Sequence, residues 1–340
     1  MSKFTKGAVT VVFPNYNHAK FLQESLGNIL KQRRPADKII LFDDASTDNS
    51  VSVIQEMIKN HDNVTFIVHE KNKGCVASLN EGLQLVETEY VTFLGADDRL
   101  DLQFLEKCLP LLDAHPEAGF CSGACSIIDG NGNVTGRRPV FPLAMKPAFI
   151  SKEKVKSILK TMDNFFWGNT AIYRAEHLLQ LNGFNQDLHS LSDGMAMRVL
   201  ALKQGACYMP ESLAAWRFLG NNMSVVNATE HEKLESLIAK ANAFIATQDK
   251  TLFPKNYAKL LENRMRFGAA RVQIAMAKQF GKTELMQLHQ ALNTPIKCQH
   301  MFRALSNLPL RMQKFFMMAY VFLKTRPFGM FAMMRAFALR

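Results

Sequence analysis

Four short runs rich in β-branched and aromatic residues open the chain at a nearly fixed interval, and that interval restricts the fold more than any other feature. Val9–Phe13, Ile39–Phe42, Val64–Val68 and Tyr90–Leu94 have strand composition, and their last residues lie 29, 26 and 26 positions apart. Between them apolar residues recur at helical spacing: Phe21, Leu22, Leu26, Ile29 and Leu30; then Val51, Val53, Ile54, Met57 and Ile58; then Val76, Leu79, Leu83 and Val86. The second helical segment follows "ASTDNS", a run of good N-cap residues. A strand returning every ~30 residues with a helix between is the βαβ unit, so a parallel, helix-covered sheet is expected. Parallel strands bring all their C-terminal ends to one edge, where open α/β folds bind ligands. The polar segments "PNYN" (14–17), "DDASTDNS" (43–50), "HEKNKG" (69–74) and "GADDR" (95–99) follow those ends and should meet in space.

Beyond Asp101 the pattern predicts a helix from about Leu102 to Asp113, a strand in "GFCSGACSIID" and a hairpin turn in "DGNGN" (129–133). A strand over "GNTAIYR" (168–174) follows, then a helix over "LSDGMAMRVLALKQG" (191–205) with Asp193 near its N-cap, and a return to the sheet in "ACYMPESLAAWRF". From about Glu230 onward the pattern is helical, broken at Pro254, Gly281, Pro295, Pro309 and Pro327. At 340 residues and 48% hydrophobic, the chain is long enough for one large domain and a smaller one.

The adjacent pair Asp97–Asp98 ends a strand that reads as buried, where the backbone is held rigidly while the side chains reach solvent. One or two carboxylates commonly hold Mg²⁺ or Mn²⁺, with water and substrate phosphates completing the octahedron. Taken alone, "ADD" serves equally well as a cap for the following helix. Asp43–Asp44 at the neighbouring strand end tips the balance, because capping does not call for carboxylates at two strand ends at once. Concentrated carboxylates repel unless a cation or hydrogen-bond donor faces them, and a metal-bound nucleotide supplies both. No G-x-x-x-x-G-K-[ST] and no G-x-G-x-x-G follows any strand, which points away from P-loop and dinucleotide enzymes. "DGNGN" lacks the third glycine and the following helix.

"VTVVFPNYNHAKFLQESLGNILKQ", "KIILFDDASTDNS", "NKGCVASLNEGL" and "YVTFLGADDRL", in this order and spacing, resemble the nucleotide-sugar-binding half of family 2 glycosyltransferases, the inverting GT-A class. The likeness continues more loosely through "GNTAIYR", "NGFNQ" and "LSDGMAMRVLALKQG" to "WRFLGNNMS", covering roughly residues 5–225. It implies an α/β fold of GT-A type, a Rossmann-like, mostly parallel sheet flanked by helices, with a C-terminal helical region. By this resemblance residues 1–110 form the nucleotide-sugar-binding half and 111–226 the acceptor-binding half of one domain, with 227–340 a basic helical region.

The resemblance also assigns roles. Pro14, Tyr16 and Asn17 would line the nucleobase site, Tyr16 offering an aromatic face. Asp44 would accept from the base N–H with Asp43 beside it, whereas capping of the "STD" turn suits Asp48 better. Lys73 and Gly74 fall where the family brings the chain close to the nucleotide, though Lys73 reads equally as a surface lysine. Asp98 matches the direct ligand of a divalent metal, Mn²⁺ or Mg²⁺, with Asp97 facing ribose or metal. Asp193 matches the catalytic base of a single displacement, and Ser192 stands where relatives usually have an acid. Arg217 is placed at the diphosphate. Many relatives carry a histidine two places after that arginine; here Leu219 occupies the position, and His189 and His231, the nearest substitutes, read as surface residues.

The net charge of +11 is concentrated at one end. After Glu284 there is no Asp or Glu, while Lys297, Arg303, Arg311, Lys314, Lys324, Arg326, Arg335 and Arg340 are all basic. From Leu308 to Arg340 these mix with Phe, Met and Leu, and the longest uncharged run, Phe315–Leu323, is too short to span a bilayer. Such a segment suits an anionic membrane surface; packing on the catalytic domain or on a second subunit is the alternative. Nucleic-acid binding is disfavoured, since the apolar content exceeds what phosphate contacts require. The apolar stretch Ala8–Phe13 is too short for a secretory signal, and six scattered cysteines without C-x-x-C spacing read as reduced thiols. A cytoplasmic protein is therefore expected, peripheral on the inner face of the cell membrane.

These readings converge on a metal-dependent inverting hexosyltransferase that takes a sugar from a nucleotide-diphosphate donor, UDP-linked in this reading, to an acceptor hydroxyl on a surface polysaccharide or lipid-linked glycan. A sugar-phosphate nucleotidyltransferase would carry a glycine- and arginine-rich loop after the first strand, which "FPNYNHAKF" lacks. A catalytically impaired nucleotide-sugar-binding protein of the same fold is favoured only by Leu219 and Ser192.

Overall fold

The computed structural model describes residues 4–139, 142–163 and 166–280, and beyond these only 312, 315, 316 and 319. Strand β1 (Thr5–Asn15) is buried from Ala8 to Asn15, as befits a strand with neighbours on both sides and helices over its faces. Helix α1 (Ala19–Leu30) lays Leu22, Leu26 and Ile29 against Val9, Val11 and Phe13. The alternation continues through β2 (Lys38–Asp43), α2 (Ser50–Ile58), β3 (Val64–Val68), α3 (Cys75–Gln84) and β4 (Thr88–Phe93). These four strands pair in parallel in the order β3-β2-β1-β4, as the spacing predicts. In register, Asn15 faces Asp43 and Asp43 faces Val68, so the strand ends coincide. On α3, a Cβ at Gly82 would lie 2.4 Å from Val12 Cγ1 and 3.1 Å from Phe42 Cε2. The helix lies this close to the sheet because position 82 has no side chain.

The chain then runs through β5 (Arg99–Leu100), α4 (Phe104–Asp113), β6 (Phe120–Ile128), β7 (Val134–Arg138), β8 (Ala148–Ile150) and α5 (Lys152–Ile158). β9 (Ile172–Arg174), α6 (Ala175–Gln180), α7 (Ser192–Gln204) and β10 (Ala206–Arg217) follow. Among the described residues the sheet has ten strands, ordered β3-β2-β1-β4-β9-β6-β10-β5, with β7 beside β6 and β8 beside β10. β9 is antiparallel to both β4 and β6, so the parallel half becomes mixed beyond β4. β10 passes through Pro210, and its register against β6 shifts between Met209 and Ser212, because proline offers no N–H to the ladder. "GNTAIYR" differs from expectation: Gly168–Thr170 is a 3₁₀ turn and only Ile172–Arg174 is strand. The buried Thr170 hydroxyl is the reason, lying 2.8 Å from the Trp167 carbonyl oxygen and so curling the segment back on itself.

The described residues divide into two compact units. The first holds those up to Val155 with 166–187 and 192–219; the second holds 156–163, 188–191 and those from Gly220 onward. In the second, α8 (Met223–Thr229), α9 (His231–Thr247) and α10 (Tyr257–Phe280) are helical, with the expected break at Pro254. Leu234, Ile238 and Ala269 form a small core. Buried Asp163 accepts from Arg264 Nε at 3.0 Å and Tyr257 Oη at 3.3 Å. No helix among the described residues is long and apolar enough to cross a membrane. The breaks expected at 281, 295, 309 and 327, and the membrane and dimer readings of 308–340, lie outside the described residues apart from the four named above.

Candidate active site

The loops after β1 and β2 are knitted together by short polar side chains. Asn15 donates through Nδ2 to Asp43 Oδ2 at 2.7 Å, and Asp43 Oδ1 accepts the Ser46 N–H at 2.8 Å. Asn17, at φ 55, accepts the Thr47 N–H at 2.7 Å. Asp48 accepts the N–H of Ala19 at 3.0 Å and of Ser50 at 2.9 Å, the capping work its position suggests. Pro14 is buried at the end of β1, while Tyr16 is 44% exposed beside it. Asp44 is buried with both oxygens engaged: Oδ1 takes His69 Nδ1 and the Lys73 N–H, each at 2.8 Å, and Oδ2 takes the Gly74 N–H at 2.8 Å. Burial pushes its carboxyl up, but these donors outweigh burial and hold it below the usual range. Gly74 needs its missing side chain, since its φ is 89. The Lys73 ammonium pairs with Glu81 at 2.7 Å.

At the end of β4 the chain turns, with Asp98 N–H donating to the Gly95 carbonyl at 3.0 Å. Asp98 is buried; its Oδ1 accepts the Arg217 backbone N–H at 2.9 Å and its Oδ2 accepts Asn169 Nδ2 at 3.1 Å. Burial, and then the negative charge of Asp97, raise its carboxyl well above the usual range. Arg217, which the resemblance places at the diphosphate, is buried with its side chain turned into the protein. Its guanidinium donates to the Asp97 carbonyl at 2.8 Å, to the Asp129 carbonyl at 3.1 Å and to Glu24, and lies 4.5 Å over the Phe21 ring. The niche formed by α1 and the 129–130 turn draws it inward, so it braces the Asp97–Asp98 turn.

Asp193 stands in the first turn of α7. Its Oδ1 accepts the Gly194 N–H at 2.6 Å. Burial raises its carboxyl, opposed by that N–H and by Arg198. Its other oxygen lies over Gly168, where a Cβ would come within 1.8 Å of Oδ2. The β4 loop and α7 converge on the turn at Gly168–Asn169; Cys75 is the first residue of α3. Its thiol is pushed up to about 12 by desolvation and then by Asp97, Asp193, Asp44 and Asp98. Solvent still reaches Cys75. Leu219 lies against the 129–130 turn, 3.9 Å from where a Cβ on Gly130 would stand. His189 and His231 are exposed and belong to the second unit.

Among the described residues no group of three or more His, Cys, Asp or Glu is arranged to hold a metal. The donors fit a hard, oxygen-liganded cation supplied mainly with substrate and water oxygens. Asp98 is a buried carboxylate beside a second one, a setting that favours a bound cation, and Asn169 Oδ1 beside it is buried with no partner among the described residues.

A parallel strand edge that gathers carboxylates from two loops and the start of α7, in a sheet of this order, defines a glycosyltransferase of GT-A type. The sequence profile described as glycosyl transferase family 2 matches residues 10–181, and the chain belongs to that family. It is 25% identical over 233 residues to an uncharacterized glycosyltransferase of Nostoc sp., covering 67% of this chain and 70% of that one. It is 30% identical over 195 residues to the teichoic acid poly(glycerol phosphate) polymerase of Staphylococcus epidermidis, covering 54% of this chain but 24% of that one. Its fold is similar to that of the mannosyltransferase PcManGT from Pyrobaculum calidifontis, solved with GDP-Man and Mn²⁺, at TM-score 0.56 and 22% identity over 94% of this chain and 85% of that one. The protein is thus a glycosyltransferase with relatives in cell-surface glycan synthesis.

Sequence reasoning missed Glu24, His69, Gly168 and Asn169. The last two lie inside the quoted "GNTAIYR", whose Gly-Asn start is a turn signal rather than a strand signal. Glu24 gave no sign, being 193 positions from Arg217.

Proposed function

We propose that this chain is a metal-dependent inverting glycosyltransferase that moves a sugar from a nucleotide-diphosphate donor, UDP-linked in our reading, to an acceptor hydroxyl in surface polysaccharide or lipid-linked glycan synthesis. One observation carries the reading: Asp98 and Asp193 meet at adjacent residues of one turn, Asn169 donating to Asp98 Oδ2 at 3.1 Å and Gly168 lying directly against Asp193 Oδ2. Pro14, Tyr16 and Asn17 would border the base, with Asp43 and Asp44 holding the loop against which it lies, and Lys73 and Gly74 would run beside the nucleotide. Asp98 and Asp97 would hold the cation, which when bound supplies Lewis-acid stabilisation of the departing diphosphate. Asp193 would take the proton of the acceptor hydroxyl as its oxygen forms the new bond to the anomeric carbon from the face opposite the diphosphate. The bond from that carbon to the diphosphate oxygen breaks with its electron pair, inverting the centre. Arg217 keeps the Asp97–Asp98 turn in place. We assign catalysis to 1–226 and place the protein in the cytoplasm, where 227–340 would meet the inner membrane face or a second copy.

The test is release of nucleoside diphosphate from a panel of UDP- and GDP-sugars, with Mn²⁺ and with EDTA. Asp193→Asn should lower turnover about 10²–10⁴-fold while leaving donor binding intact. Unchanged turnover refutes the base assignment; release that is equal in EDTA refutes the metal dependence.

A further inference from the structure

We propose that the turn Gly168–Thr170 fixes the Asp193 carboxylate relative to Asp98, with Gly168 and Asn169 as positioning residues. This rests on the reading of Asp193 as the base and of Asp98 as the metal-side carboxylate. The two residues are adjacent in one tight turn and touch one carboxylate each. Asn169 Nδ2 donates to Asp98 Oδ2 at 3.1 Å. A Cβ on Gly168 would meet Asp193 Oδ2 at 1.8 Å, Cγ at 2.8 Å and Cβ at 3.2 Å, so the carboxylate occupies the space a side chain would fill. The turn is anchored independently of both. Buried Thr170 Oγ1 lies 2.8 Å from Ser122 Oγ and accepts the Gly123 N–H at 3.0 Å, which pins the turn to β6. The separation of the two carboxylates is therefore set by a two-residue span of rigid backbone, not by the longer loops that carry them.

That separation matters chemically. The acceptor oxygen must lie within hydrogen-bond reach of the base and about 3–3.5 Å from the carbon it attacks. A misplacement of about 1 Å costs roughly 10²-fold in rate. Gly168 is not among the glycines of positive φ, so its backbone accepts alanine, and the three nearest atoms its Cβ would meet all belong to Asp193. The cheapest relaxation in Gly168→Ala is rotation of a short side chain, which moves the carboxylate and leaves the fold in place.

The experiment uses the full-length protein and compares Gly168→Ala, Asn169→Ala and Asp193→Asn by thermal unfolding, calorimetric binding of nucleoside diphosphate, steady-state kinetics and a pH profile. Gly168→Ala should keep nucleotide affinity and donor KM within about threefold, lower kcat about 100-fold and displace the acid limb of the kcat/KM profile. Asn169→Ala, titrated with Mn²⁺ alone by electron paramagnetic resonance, should bind the metal about tenfold more weakly. A folded Gly168→Ala with wild-type kcat and pH profile overturns the proposal. If that variant does not fold, Asn169→Ala decides: weaker Mn²⁺ binding upholds it, unchanged Mn²⁺ affinity and kcat overturn it. Turnover surviving in Asp193→Asn removes the base reading itself, an outcome distinct from an inactive Asp193→Asn beside a fully active Gly168→Ala.

Discussion

Replacing Asp44 by Asn measures how firmly one anion holds the nucleotide-side edge. Asp44 Oδ1 accepts two donors and Oδ2 one, all at 2.8 Å. An amide has one acceptor oxygen, so its best placement keeps the two bonds at Oδ1 and sets its NH₂ against the Gly74 N–H. Leaving that buried donor unpaired costs about 1–3 kcal/mol, and changing the other two bonds from charge-assisted to neutral costs about 1 kcal/mol each. The total is about 3–5 kcal/mol. Urea unfolding followed by tryptophan fluorescence is a suitable assay, because Trp167 and Trp216 both belong to the first unit and report on it alone. The pH dependence has a fixed sign. Asp44 is depressed below its unfolded value of 3.8, so its contribution is full above that value and is lost as pH falls through the lower, folded value. The gap between wild type and Asp44→Asn should be level from pH 7 to 5 and shrink below about pH 4. A gap under about 1 kcal/mol at pH 7, or one that does not shrink in acid, refutes the reasoning.

Arg217→Met should lower the stability of the first unit by about 3–5 kcal/mol, since Glu24 and the carbonyls of Asp97, Asp129 and Gly130 lose a buried partner, and should weaken Mn²⁺ binding by loosening the Asp97–Asp98 turn; urea unfolding and a Mn²⁺ titration check both. Gly82→Ala should cost about 1–3 kcal/mol by overpacking against Val12, read by the same fluorescence assay, with donor KM unchanged because the clash lies within the core.

The parallel half of the fold is legible because each strand and its helix carry their own period, 2 or 3.6, and recur at one spacing. The mixed half is harder for physical reasons. β5 has two residues and β8 has three, too few to show a period, and nothing in the composition of β9 says that it runs antiparallel. At the site, topology alone indicates that Asp43–Asp44 and Asp97–Asp98 share an edge, because parallel strands leave no other arrangement. Direction of side chains is another matter. Only the family resemblance gives Arg217 a role, and the direction of its side chain depends on Phe21 and Glu24, which make an inner niche that only the folded α1 creates. Asn169 meets Asp98 across 71 positions, a distance over which one sequence has no periodic signal.

Three aspartates therefore have different electrostatic settings, and the differences bear on the roles proposed for them. Asp44 is met by three donors and held below the ordinary range, which suits a permanent anion that organises backbone N–H groups and stays ionised through any turnover. Asp98 has two donors but a second carboxylate beside it, and lies above that range through burial and Asp97. Holding it ionised at neutral pH costs folding stability, a cost relieved when the pH falls or when a cation binds. That makes it suited to gaining affinity from a ligand rather than from the fold. Asp193 is raised by burial, with one N–H and Arg198 opposing, and a carboxylate with increased proton affinity is what a base needs in order to accept a hydroxyl proton. Carboxylates whose environments push them apart are the ones to which separate tasks can be given; identical environments would have left the three interchangeable.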